Sequence, residues 1–116
     1  MTGREGSPRG QVAASPGEPR FDELIHPSTR LSIVAMLAAA DWVDFAFVRD
    51  QLGLSDSALS KQLSTLEDAG YLQLERQVSD RRRRVRARLT ERGRAAFDGH
   101  VAALRAIIAD VPATRS

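Results

Sequence analysis

Residues 52–71 read Leu52-Gly53-Leu54-Ser55-Asp56-Ser57-Ala58-Leu59-Ser60-Lys61-Gln62-Leu63-Ser64-Thr65-Leu66-Glu67-Asp68-Ala69-Gly70-Tyr71, and the fold follows from this stretch. Gly53 ends one helix, because glycine takes the left-handed conformation at little steric cost. Ser55, one apolar residue later, is placed to cap the next helix with its hydroxyl. Within that helix Leu59, Leu63 and Leu66 fall at i, i+4 and i+7, so they share one face and pack inward. Burying them leaves Ser57, Ser60, Lys61 and Ser64 on the opposite side, small hydroxyls and one long cation. Gly70 closes the helix. A short glycine-containing turn of this kind sets two helices at a steep angle.

Upstream, Phe21 to Ile25 reads as a helical turn interrupted by Pro27. Ser28 then looks like the N-cap of a helix to about Ala40, with Leu31, Val34, Leu37 and Ala38 at helical spacing. Trp42 and Val43 suggest a short strand, and Asp44 is placed to cap a second helix carrying Phe45, Val48 and Leu52 on one stripe. Downstream, Tyr71–Val78 and Arg83–Leu89 read as strands around the polar turn Ser79-Asp80-Arg81-Arg82. On the second strand Val85, Ala87 and Leu89 alternate with Arg84, Arg86 and Arg88, the period of a half-buried sheet. Thr90 caps a last helix to about Ala109, just before Val111-Pro112. Helix, turn, helix and hairpin in this order predict a mainly α fold with a small β hairpin, a winged helix-turn-helix.

The net charge is only +2, but it is unevenly spread. Arginine is concentrated between Tyr71 and Arg105, whereas acids outnumber bases over residues 1–70. Positive charge gathered in one short segment implies a polyanionic partner approached from one side. Arg81, Arg82, Arg83 and Arg84 crowd the hairpin tip, with Arg86 further along the strand. A charge run is often only a solvated face. Beside a helix with an open polar side, it predicts contact with DNA backbone or the adjacent minor groove. The helix itself would carry its contacts through Ser55, Ser57, Ser60, Lys61 and Ser64, in the major groove of double-stranded DNA.

Residues 1–20 are rich in proline and glycine and poor in large apolar side chains, which predicts a disordered tail. One domain is expected over residues 21–110, with residues 111–116 as a second tail. In the last helix Phe97, Val101, Leu104 and Ile108 lie at i, i+4, i+7 and i+11. Such a stripe can form a symmetric dimer contact or pack back onto the first helix of its own subunit. Cysteine is absent, which fits a reducing cytoplasm. The longest apolar run, Ile33 to Ala40, is far shorter than the roughly 20 residues of a membrane span.

Enzymatic chemistry needs a converging nucleophile, base or metal set, and none is visible. Trp42, Phe45 and Phe47 could line a small apolar effector site, but core packing accounts for them more simply.

The stretch from Asp22 to Ile108 resembles compact winged helix regulators close to the MarR and ArsR groups. The resemblance is carried by residues 24–31, Val43-Asp44-Phe45, residues 52–55, residues 58–71 and Arg88-Leu89-Thr90-Glu91-Arg92-Gly93. It implies a homodimeric regulator of transcription, a repressor or an activator, whose third helix enters the major groove. The wing around Asp80–Arg84 would make flanking contacts, with Asp80 and Arg81 similar to an acid-arginine pair of MarR-like wings. Only one helix follows the wing, which leaves little to build a deep effector cavity. Asp98 and His100 resemble the start of a final-helix zinc site of ArsR-like sensors, but nothing completes it, so no metal and no cofactor are expected. The overall expectation is a sequence-specific DNA-binding repressor acting as a homodimer. The alternative is a winged helix that docks on protein and has no affinity for DNA.

Overall fold

Residues 18–111 are described by the computed structural model of the chain. The elements are α1 (Ser28–Ala38), β1 (Val43–Asp44), α2 (Phe45–Leu52), α3 (Asp56–Asp68), β2 (Leu72–Ser79), β3 (Arg82–Leu89) and α4 (Glu91–Asp110). Two caps act as their residue types predict. The Ser55 hydroxyl accepts from the Ala58 N–H at 3.1 Å, and the Thr90 hydroxyl accepts from the Gly93 N–H at 3.0 Å. Gly53 follows α2 in the left-handed conformation with φ 65°.

Two capping expectations are corrected. Ser28 is not the N-cap: Pro27 holds that position with ψ 134°, and its carbonyl accepts the first helical bond from Leu31 at 2.9 Å. Proline is tolerated at this helix entry because the N–H it lacks would have had no intrahelical partner. Asp44 does precede α2, but its side chain makes no capping bond, and its backbone serves as the last residue of β1, opposite Arg86. The strand is therefore Val43–Asp44 rather than Trp42–Val43. α1 also stops at Ala38, two residues short of the expected Ala40.

The three strands form an antiparallel sheet in the order β1-β3-β2. The hairpin pairs Leu72 with Leu89 at its base and Ser79 with Arg82 at its tip, so the turn contracts to Asp80-Arg81. Both turn residues have positive φ, 51° and 64°, as a two-residue turn matched to strand twist requires. The register separates two faces. Leu72, Leu74, Arg76 and Val78 lie with Arg83, Val85, Ala87 and Leu89 on the inner face, and Arg84, Arg86 and Arg88 lie on the outer one.

The core joins Ile25, α1 (Ile33, Val34, Leu37), Val48, the leucines Leu59, Leu63 and Leu66, and the inner sheet residues Leu72, Ala87 and Leu89. Ala96 and Phe97 bring the start of α4 against it. Close approach at Gly93 seats that helix, since a Cβ there would stand 1.9 Å from the Tyr71 carbonyl oxygen. The Thr90 N–H donates to the same carbonyl at 3.0 Å, and the Thr90 hydroxyl donates to the Gly70 carbonyl. The paired sequence signals Gly70-Tyr71 and Thr90-Glu91-Arg92-Gly93 are thus one contact seen from both sides.

The tail expected over residues 1–20 lies outside the described residues up to residue 17, as do residues 112–116. At its end the chain is already docked: the Arg20 N–H donates to the Gly99 carbonyl at 2.9 Å.

Candidate nucleic-acid interface

Burial of Leu59, Leu63 and Leu66 turns the other side of α3 outward, where Ser57, Ser60, Lys61 and Ser64 are all exposed. Two side chains hold the helix from outside the core. Arg30 of α1 donates to the Leu24 carbonyl at 2.6 Å and to the Gln62 amide oxygen at 2.9 Å. Arg49 of α2 pairs with Asp50 and with Asp56 in the first turn of α3, each at 2.9 Å. These side-chain links run to α3 from α1 and from α2, and they leave the serine and lysine face open. Ser55 is also exposed, but its oxygen is engaged as the cap and lies 3.3 Å from the Ser57 hydroxyl.

The wing arginines fall into two groups. Arg81, Arg82, Arg83 and Arg84 are exposed at the tip, and none has an ion pair among the described residues. Arg86 is different. Its guanidinium pairs with Glu75 across the hairpin and lies over the Trp42 ring, 4.4 Å from the centroid. Arg88 covers the same ring at 4.8 Å and reaches Gln73 and Asp41. The Trp42 ring and neighbouring carboxylates thus hold Arg86 and Arg88 against the outer face of the sheet. Strand parity puts Arg86 on the same face as Arg84, but unlike Arg84 it is engaged, by Glu75 and the Trp42 ring.

Sequence reasoning missed Arg76. It is exposed on the inner face opposite Val85 and shares a groove between α3 and the hairpin with Phe45, Ser60, Leu63, Ser64 and Leu74. A signal for it exists in the sequence, since counting by twos from Leu72 and Leu74 leads to Arg76.

The apolar stripe of α4 divides along its length. Phe97 packs against the subunit's own core, Val101 and Leu104 are half-buried, and Ile108 is 70% exposed with Ile107 beside it at 53%. The three aromatic candidates for an effector site do not converge. Trp42 lies under the outer arginines, Phe45 borders the groove by α3, and Phe47 is 53% exposed.

His100 is fully buried, and its Nδ1 accepts from the Asp22 N–H at 3.0 Å. Its proton is therefore on Nε2, facing His26 Nδ1 at 3.4 Å. Among the described residues no three His, Cys, Asp or Glu side chains are grouped to hold a metal ion, and no helix is long and apolar enough to cross a membrane.

A helix presented on a bed of leucines, followed by a basic hairpin, defines the winged helix class. The family of winged helix DNA-binding domains matches residues 29–108, and the chain belongs to it. An uncharacterized protein of Methanocaldococcus jannaschii is 25% identical over 79 residues, covering 68% of this chain and 86% of its own. A transcriptional regulator homologue from Pyrococcus horikoshii OT3 superposes with a TM-score of 0.71 at 22% identity, over 78% of this chain and 91% of that one, a likeness of fold. A MarR-family transcriptional regulator from Silicibacter pomeroyi is 29% identical, with a TM-score of 0.57 over 72% of this chain and 55% of its own.

Proposed function

We propose that the protein is a regulator of transcription that binds double-stranded DNA as a homodimer and represses by occupying its site. α3 lies in the major groove, with Ser57, Ser60, Lys61 and Ser64 toward phosphates and base edges. The wing tip, Arg81 to Arg84, lies on the flanking minor groove and backbone. Ser55 orders the first turn of α3 for this contact. Two copies joined through the far end of α4, around Leu104 and Ile108, would set two recognition helices on one face of the duplex. The protein would act in the cytoplasm.

One observation carries the reading. The open side of α3 borders the hairpin, whose tip arginines have no ion pair among the described residues, whereas Glu75 and Asp41 engage Arg86 and Arg88 on the outer face. Like charges concentrated without partners are stabilised by a polyanion, and phosphates release counterions when they meet them.

Gel shift over a series of salt concentrations tests this. Wild-type affinity for duplex DNA should fall steeply and linearly on logarithmic axes. Changing Arg81 to Arg84 to glutamine should lower affinity for all sequences and flatten the slope by about 0.9 for each phosphate no longer neutralised. Substituting Ser57 or Lys61 should alter sequence preference. Absence of duplex binding by the wild type even at low salt would leave a protein-docking domain as the remaining reading.

A further inference from the structure

The geometry points to Arg76, with Ser60 and Ser64, as a phosphate-binding seat for the DNA strand that runs between the recognition helix and the wing; we propose this as an additional contact resting on the DNA-binding reading above. In a duplex, a major groove and its neighbouring minor groove are separated by one sugar-phosphate ridge. If α3 occupies the first and the Asp80-Arg81 turn reaches the second, the ridge must cross the surface between them. That surface is the groove lined by Phe45, Ser60, Ser64, Leu74, Arg76 and Val85.

Its chemistry suits a phosphodiester. Arg76 supplies a planar set of N–H donors, and the two serines supply hydroxyls from the adjacent turns of α3. Arg76 is exposed and has no ion pair among the described residues, whereas Arg86 and Arg88 on the opposite face are held by Glu75, Asp41 and the Trp42 ring. Leu63, Leu74 and Val85 give the groove an apolar lining, which favours an exposed Arg76 that keeps its charged end hydrated and open to a phosphate.

The test compares Arg76→Gln with Arg88→Gln, which removes the same charge from the outer face. Arg76→Lys is the charge-preserving control, and urea midpoints verify folding of all three. Affinity for duplex DNA is measured against salt for several sequences. Arg76→Gln should flatten the slope by about 0.9 per protomer on every sequence, because a phosphate contact carries no base information. Arg76→Lys and Arg88→Gln should keep the wild-type slope. Equal flattening by Arg76→Gln and Arg88→Gln would reveal a general charge effect and overturn the seat. No flattening by Arg76→Gln, with the Arg81 to Arg84 variant still impaired, would overturn it while leaving the DNA-binding reading intact. A wild type without salt-dependent duplex binding would remove that reading itself.

Discussion

His100 has no exposed surface, and the groups facing it explain its proton balance. The Asp22 backbone N–H occupies Nδ1, His26 faces Nε2, and the Phe21 ring stands edge-on at 4.8 Å. Burial, and then the neighbouring His26, hold its pKa below the usual imidazole value of 6.5, with the Asp22 carboxylate opposing. That carboxylate also accepts from the Tyr71 hydroxyl and from the Leu24 and Ile25 N–H groups. Burial and this bond push the Tyr71 phenol up to about 12. A histidine whose pKa is lowered by folding takes up its proton more readily when unfolded. Its contribution to stability is therefore present above the unfolded value of about 6.5 and lost as pH falls below it toward the folded one. The urea midpoint should drop between pH 7.5 and 5.5, and His100→Gln should flatten that drop while lowering the midpoint at pH 7.5. An unchanged pH profile in the variant would assign the effect to another group. None of this was legible locally: in sequence His100 stands beside Asp98, whereas its partners lie far upstream at Asp22 and His26.

At the scale of the element, α3 was the most legible part of the chain, because cap, leucine spacing and closing glycine agree with one another. α4 was legible as a helix but not in its role. Its periodic stripe runs the whole length, yet only contact with α1 and the sheet reveals that Phe97 is used internally and Ile108 is not. A dimer through α4 therefore depends on its last turns. Ile108→Glu should yield a monomer in sedimentation, with thermal stability of the subunit changed by no more than about 0.5 kcal/mol, since the side chain contributes little to its own core. A variant that sediments as a dimer would move the interface elsewhere. The wing arginines follow the same logic. Strand alternation predicts the two faces, but the pull of Glu75 and Trp42 on Arg86 needs the hairpin closed and β1 beside it.

Across the molecule these choices sort charge by direction. The acids Glu75 and Asp41 and the Trp42 ring engage arginine on the outer sheet face, while the tip and the groove beside α3 keep theirs free among the described residues. Adding a duplex to isotopically labelled protein should shift the amide signals of α3, the Asp80-Arg81 turn and the inner-face residue Arg76. The signals of Trp42, Arg88 and the last turns of α4 should remain in place. Shifts centred on the outer face would reverse the orientation of the complex.

Hydrophobic spacing, caps and glycine turns determined the elements and their order, because each depends on neighbours within a few residues. The sheet order, the seating of α4 on Tyr71, the buried histidine and the sorting of the arginines were decided by tertiary structure. Those depend on residues brought together from distant parts of the chain, whose pairing no local period encodes.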